Sequence, residues 1–241
     1  MIIKNIEEFP GNANAVRFLE NIIIKYKIKS VADVGGGANP MLPLKIVKKY
    51  SLDYYVFDID ESELQKAPKW CNCLKVDIAS PDKNFVPAEM LNKFDLVFSH
   101  FLLEHVKGVK QAHLNIAKLL RHGGIAVHFF PSINNLPIFI NMIIPEWISR
   151  KLVKIFQPTR DKVYQVKFPA YYELCTVRTN KMKRVLRSLG YSVEEHVGYI
   201  GHSYYERFEL ARWLELLGRK IFVFLKIPFT STIHIVLKKL D

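Results

Sequence analysis

Hydrophobic and polar positions follow a regular order along this chain. Apolar stretches of strand length alternate with segments in which apolar residues recur every three or four positions. The predicted strands are residues 31–34, 54–59, 73–78, 94–99, 125–130, 191–200 and 231–240. Predicted helices fall between them at 42–50, 109–120 and 179–190. Strands that alternate with helices in this way predict an α/β fold, a parallel sheet with helices on both faces.

Helical spacing also predicts local details. Val16, Leu19, Ile23 and Tyr26 indicate an amphipathic helix within residues 1–30. In the segment 109–120, we expect Leu114, Ala117 and Leu120 to share the packing face, and Gly190 to end the helix before the sixth strand.

These elements predict one domain spanning residues 1–241. Residues 31–132 form its ligand-binding core, and residues 133–170 and 201–229 are insertions on the substrate side. The first insertion is rich in proline, aromatic and basic residues, and the second contains the helix-like stretch 204–220.

Composition narrows the class of protein. A chain of 241 residues with 49% hydrophobic content can bury a core without disulfides or a structural metal. Its three cysteines form no CxxC pair, which favours a reducing, cytoplasmic location. The longest apolar stretch is interrupted by Asn141, Pro145 and Glu146, and falls short of the roughly 18 residues that span a bilayer. We therefore expect a cytoplasmic protein or a peripheral one at the inner membrane face.

The formal net charge of +12 is concentrated in one region. Residues 150–187 contain eleven Lys or Arg but only two acids. Such a patch attracts nucleic acid, anionic lipid or a phosphate-bearing small molecule, or is simply a solvated face. Within residues 145–156, Ile148, Leu152 and Ile155 recur at helical spacing opposite basic residues. This helix either packs on its own domain or makes peripheral membrane contact.

A glycine-rich turn follows the first predicted strand in the stretch VADVGGGANP. Gly35 and Gly37 match the first two glycines of a dinucleotide fingerprint, but Pro40 replaces the third, which argues against NAD. No Gly-Lys-Ser/Thr follows, so the turn is not the phosphate loop of a nucleoside triphosphatase. Asp33, just before the turn, would repel a pyrophosphate but accept hydrogen bonds from a cation. The ligand implied has a ribose, a positive charge and no phosphates, as S-adenosylmethionine has.

With these motifs, residues 30–132 resemble the class I, Rossmann-like methyltransferases that use S-adenosylmethionine. The resemblance implies a seven-stranded, mostly parallel sheet whose last strand is antiparallel. It also implies that the glycine turn approaches the methionine part of the cofactor, that a carboxylate ending the second strand holds the ribose hydroxyls, and that the last residues of the third strand flank the adenine. The implied cofactor-binding residues are Asp33, Gly35, Gly36, Gly37, Asp58, Ile59, Asp77, Ile78 and Ser99.

Two histidines are candidates for catalysis. His100 ends the fourth strand at the position that, in the related enzymes, faces the transferred methyl group. Nitrogen methyltransferases of this class carry an Asn-Pro-Pro-Tyr motif there, whereas an imidazole can act as general base for an acceptor hydroxyl. His202 follows the sixth strand among Tyr199, Tyr204 and Tyr205, which either line the site or close the core. His128, inside a buried strand, is interpreted as a core histidine with its hydrogen bonds satisfied.

A Glu-His pair resembles part of a metal site. In some relatives that act on quinone phenols or RNA ends, a similar pair helps to hold a divalent metal, together with another acid. Here Glu104 and His105 are present, but Phe101 stands where the other acid is expected. We therefore predict no metal and a structural role for His105.

The acceptor is the least determined part of the function. The segments after residue 130 loosely resemble methyltransferases of cell-surface glycan biosynthesis. This likeness implies O-methylation of a sugar or glycan precursor, with the basic segment facing a phosphate of the acceptor. Methylation of RNA, methylation of a small phenolic or quinone-like molecule, and a non-catalytic role as a cofactor-binding partner protein remain as alternatives.

Overall fold

The computed structural model of the chain describes residues 2–4, 14–133, 169–176, 179–200, 209–225 and 230–240. In this part of the chain, eight strands form a single sheet. They are β1 (Ile2–Lys4), β2 (Ser30–Val34), β3 (Asp53–Asp58), β4 (Asn72–Lys75), β5 (Phe94–His100), β6 (Leu120–Pro131), β7 (Tyr191–Tyr199) and β8 (Thr232–Lys239).

The strand order in the sheet is β1-β7-β8-β6-β5-β2-β3-β4. Every neighbouring pair is parallel except those of β8, which runs antiparallel to both β6 and β7. The seven strands from β2 to β8 therefore confirm the predicted mostly parallel sheet with its last strand antiparallel. The eighth strand, β1, pairs with β7 at the edge and lies where the sequence predicted only the start of a helical segment.

The described helices are α1 (Ala15–Tyr26), α2 (Leu44–Tyr50), α3 (Glu61–Leu64), α4 (Val109–Leu119), α5 (Thr179–Ser188) and α6 (Glu209–Phe224), with 3-10 turns at Ala88–Met90 and Leu103–His105. Two apolar clusters cover the two faces of the sheet. One joins α1 and α2 to residues such as Phe98 and Phe129, and the other joins α4 and α5 to Val97 and Ala126. Burial on both faces explains why the central strands are continuously apolar.

The packing face of α4 agrees only in part with the prediction, because Leu120 is buried and Ala117 packs against the core but Leu114 does not. Val109, Ala112, Ile116 and Leu119 are its buried apolar residues, whereas Leu114 is 38% exposed. The sequence pattern was ambiguous because apolar residues occupy both sides of this helix. Contact with the sheet selects the side that also carries the short Ala112.

The predicted insertions lie largely outside the described residues. This applies to the segment 145–156 and to His202, Tyr204 and Tyr205. Of residues 201–229, the structure describes α6 and the residue after it. Within the described ranges, no helix has the length and apolar content needed to cross a bilayer.

Candidate active site

Three strand ends meet at one edge of the sheet. In the register of the sheet, Val34 at the end of β2 pairs with Phe57 of β3 on one side and with Ser99 of β5 on the other. Because the strands are parallel, the residues that follow these three points lie side by side. They are Gly35, Asp58 and His100, and ligands of open α/β sheets bind at such an edge.

The glycine turn after β2 is required by packing as well as by any ligand. Gly35 has φ +80°, in the left-handed region, and donates its N–H to the Phe57 carbonyl over 2.7 Å. A Cβ on Gly35 would lie 2.8 Å from Leu102 Cδ1, and one on Gly36 would lie 2.9 Å from Val56 Cγ1. Larger residues at either position would push the turn away from β3 and from the loop after β5.

Asp33 holds this turn in place. Its carboxylate is buried, and Oδ2 accepts hydrogen bonds from the Tyr54 hydroxyl at 2.6 Å and from the Met41 N–H at 2.9 Å. Burial raises the pKa of Asp33 to about 6, although both hydrogen bonds act to lower it. The carboxylate therefore ties β2 to β3 and to the end of the turn, and its contact with a cationic cofactor group stays a prediction.

Asp58 lies at the end of β3 beside the turn. Its Oδ1 accepts the Asp60 N–H at 3.0 Å, and its Oδ2 lies 3.2 Å from the point where a Cβ on Gly37 would stand. Partial burial raises the pKa of Asp58. The next side chain, Ile59, is 62% exposed. A carboxylate beside bare glycine backbone, followed by an exposed apolar residue, suits a ribose and its base.

The segment after β4 is held next to Asp58. The Val76 N–H donates to the Asp58 carbonyl at 2.8 Å, and Asp77 Oδ1 accepts the Ala79 N–H at 2.9 Å. Asp77 is exposed, whereas the Ile78 side chain is buried in the core beneath α4. Strand β4 ends at Lys75, so Asp77 follows this strand and does not lie within it as the predicted strand 73–78 implied, and its contact with the adenine stays a prediction. Because its side chain is buried, Ile78 could contact the adenine only through its backbone, and this contact stays a prediction.

Ser99 and His100 face different surroundings. Ser99 is fully buried, and its Oγ shares a hydrogen bond with His128 Nδ1 over 2.8 Å. His100 is half-buried at the end of β5, with its ring centroid 4.4 Å from that of Phe101 and 5.9 Å from that of Phe129. The Phe101 N–H donates to the Phe129 carbonyl at 2.9 Å, which fixes the backbone immediately after His100. Only the histidine of the pair therefore offers an accessible side chain at this edge.

His128 and Tyr199 both lie in the core of the protein. His128 is fully buried as expected, but only its Nδ1 is hydrogen-bonded, and Nε2 has no partner among the described residues. Burial lowers the pKa of His128 well below its usual value. Tyr199 is also buried, and its hydroxyl shares a hydrogen bond with His234 Nδ1 at 2.9 Å. Tyr199 therefore does not present its hydroxyl at the ligand edge.

The loop after β5 contains a feature that sequence reasoning missed. The Glu104 carbonyl accepts the N–H groups of Tyr171 at 2.7 Å and Tyr172 at 3.2 Å, and His105 Nδ1 donates to the Pro169 carbonyl at 2.8 Å. Residues 169–176 thus form a strap across this loop. A local sequence pattern could not predict this strap, because its contacts join positions about 65 residues apart.

Beneath the strap, the Glu104 side chain is only 3% exposed. Its Oε2 has no hydrogen-bond partner among the described residues, and its Oε1 lies 3.8 Å from His105 Nε2. Burial raises the pKa of Glu104 to about 8, so this carboxyl holds its proton at neutral pH. Within the described ranges, no group of three or more His, Cys, Asp or Glu side chains is placed to hold a metal ion.

Comparison with known proteins agrees with this geometry. Residues 32–126, which include the glycine turn, Asp58, Asp77 and His100, match a family model described as a methyltransferase domain. No curated protein sequence matches the chain significantly. The match confirms the predicted class of enzyme for this part of the chain.

Solved structures share the fold at low sequence identity. An S-adenosylmethionine-dependent methyltransferase from Archaeoglobus fulgidus is 17% identical, covering 92% of this chain and 94% of its own, with a TM-score of 0.54. One from Mesorhizobium loti is 15% identical over 88% and 91%, with a TM-score of 0.52. One from Clostridium acetobutylicum is 10% identical over 94% and 91%, with a TM-score of 0.53. These likenesses show that the chain shares the fold of these S-adenosylmethionine-dependent methyltransferases.

Proposed function

We propose that this chain transfers a methyl group from S-adenosylmethionine to a hydroxyl of a sugar or glycan precursor. The observation that carries the proposal is the position of His100. Its half-buried imidazole ends the strand beside the glycine turn, at the edge where Asp58 would hold the cofactor ribose. The neighbouring Ser99 is fully buried and offers no accessible side-chain atom for this chemistry.

The reaction is an in-line displacement at the methyl carbon. A lone pair of the acceptor oxygen forms the new C–O bond while the C–S bond of the sulfonium breaks, which leaves a neutral thioether. His100 takes the hydroxyl proton, since a neutral imidazole titrates near physiological pH. Holding both reactants in line provides most of the acceleration in such a step. The glycine turn and Asp58 position the donor, with Ile59 and Asp77 beside its base.

The class of acceptor rests on charge and on the loose likeness of the later segments to glycan-pathway methyltransferases. On α5, the exposed residues Lys181, Lys183, Arg184 and Arg187 form a basic face, and the helix contains no acid. This face, which leads from the strap toward β7, suits a sugar linked to a nucleotide or lipid phosphate. The same charge would suit RNA, the second candidate.

A labelled-methyl assay with nucleotide-linked and lipid-linked sugars tests this proposal. We expect incorporation into a sugar, no transfer by His100→Ala, and unchanged cofactor affinity of that variant by calorimetry. His122→Ala is the matched control, because His122 is an exposed histidine near the start of β6, at the opposite edge of the sheet.

Three results would overturn parts of the proposal. Incorporation into RNA or a phenol but not into any sugar would replace the acceptor. Full activity of His100→Ala would remove its role as base. Tight cofactor binding without transfer to any acceptor would favour a non-catalytic partner protein.

A further inference from the structure

Helix α6 exposes a continuous apolar surface. Six large apolar residues of this helix lie on one side at helical spacing and are between 45% and 84% exposed. We define the apolar stripe of α6 by these side chains: Leu210, Trp213, Leu214, Leu217, Ile221 and Phe224. A stripe of this size is unusual on a water-soluble surface and marks a site of contact.

The side of α6 opposite the stripe contains a shielded ion pair between Glu215 and Arg219. Arg219 is only 7% exposed, and its Nε lies 2.6 Å from Glu215 Oε1 one turn earlier. A helix that packs against its own domain normally turns its large apolar residues inward. The exposure of the stripe shows that α6 turns these side chains away from the described part of the chain.

The position of α6 relates the stripe to the candidate active site. Strands β6 and β7 both run antiparallel to β8, so their carboxyl ends lie at the same edge of the sheet as that of β5. Helix α6 leaves from the end of β7 and returns to the start of β8, where Tyr199 and Thr232 pair. Both ends of this connection therefore lie at the edge that carries His100.

The positive charge of the chain favours an anionic surface over a second copy of the chain as the partner of the stripe. The chain has a net charge of +12, and the basic face of α5 precedes β7 just as α6 follows it. Two copies of so basic a chain repel each other, whereas an anionic surface attracts them. Lys220 is exposed beside the stripe, where its stem can lie along apolar groups and its ammonium can reach lipid phosphates. Trp213 suits the headgroup level of a bilayer.

We propose that α6 lies in the plane of an anionic membrane, with the apolar stripe in the headgroup region, and that the acceptor is a lipid-linked sugar. The second part rests on the proposed function, and the first does not. The 16 residues of α6 extend over about 24 Å, which suits an interfacial helix. This surface differs from the segment 145–156, for which membrane contact was one of the two alternatives that the sequence left open.

Vesicle flotation of the full chain tests the membrane contact without any acceptor. We expect binding to phosphatidylglycerol-containing vesicles that weakens at high salt, and binding to phosphatidylcholine vesicles that is at least tenfold weaker. Leu217→Glu should weaken binding to the anionic vesicles at least tenfold. Ile24→Glu should change it less than twofold, because Ile24 is a 57% exposed apolar residue on α1 and lies outside the stripe. Circular dichroism checks that both variants fold.

Three outcomes would overturn the membrane contact. The first is that the unmodified chain does not bind vesicles, and the second is that Leu217→Glu binds them as well as the unmodified chain does. The third is a dimer in analytical ultracentrifugation that Leu217→Glu dissociates, since the stripe would then be a self-association surface.

The acceptor is tested separately. If it is lipid-linked, Leu217→Glu should lose methylation of a lipid-linked sugar in vesicles but keep turnover of a soluble, short-chain analogue. Equal loss on both acceptors would contradict this assignment. Vesicle binding without any sugar methylation would leave the membrane contact intact and refute the proposed function instead.

Discussion

Replacing Glu104 with glutamine should remove a large part of the pH dependence of stability. In the folded chain, burial beneath the strap raises the pKa of this carboxyl from 4.5 to about 8. A group whose folded pKa exceeds its unfolded value stabilises the fold below the unfolded pKa. That contribution is lost as the pH rises toward the folded pKa. Stability attributable to Glu104 should thus fall between about pH 4.5 and pH 8.

The size of the effect follows from the shift. A change of roughly 3.5 pKa units corresponds to about 5 kcal/mol in total, of which about 3.5 kcal/mol is lost between pH 5 and pH 8. Glutamine has the same shape but does not ionise. The free energy of unfolding of Glu104→Gln should therefore fall by about 3.5 kcal/mol less than that of the unmodified chain over this interval.

Urea unfolding at pH 5, 6.5 and 8 measures this difference. The buried histidines His113 and His196, whose pKa is lowered to about 4 by burial, give the opposite slope. Their contribution is shared by both proteins and cancels in the comparison. Glu173→Gln is the matched control, because Glu173 lies in the same strap but is exposed. If Glu104→Gln changed stability equally at pH 5 and pH 8, the carboxyl would not be held protonated and the reasoning would fail.

Four other substitutions test the turn and the cofactor site. Gly36→Ala should destabilise the fold by about 1–3 kcal/mol in chemical denaturation, because the new Cβ meets Val56 at 2.9 Å. Gly108→Ala has open space around its Cβ but a φ of +81°, so we expect it to lose about 1–2 kcal/mol through backbone strain alone and to leave cofactor affinity unchanged. Asp58→Asn should weaken cofactor binding about 10–100-fold in calorimetry, with little change in melting temperature, because it removes a charged hydrogen-bond acceptor. Tyr54→Phe should cost about 1.5–3 kcal/mol of stability at pH 8 and less at pH 5, because it leaves the Asp33 carboxylate with one fewer donor. Equal losses at the two pH values would show that this bond does not support the ionised form.

The periodicity of apolar residues was sufficient to locate the sheet. All seven predicted strands are present, and the glycine turn, Asp58 and His100 lie at the strand ends where they were expected, although β4 ends before Asp77. These features could be read from sequence because strand length, apolar runs and the backbone freedom of glycine are local properties. The order of motifs then limited the cofactor, since Pro40 in place of a third glycine argues against a dinucleotide.

Other features depend on contacts between distant parts of the chain. Only the tertiary structure shows that Asp33 is tied to Tyr54, that Ser99 turns toward His128 inside the core, and that Leu114 faces solvent. The strap over Glu104 and the exposed apolar stripe of α6 are likewise visible only in the tertiary structure. Burial and pKa depend on which remote groups surround a side chain, and a local pattern does not contain that information. The sequence by itself determined the elements and the chemistry at their ends, whereas the fold decided which of those side chains reach the ligand edge and which are buried.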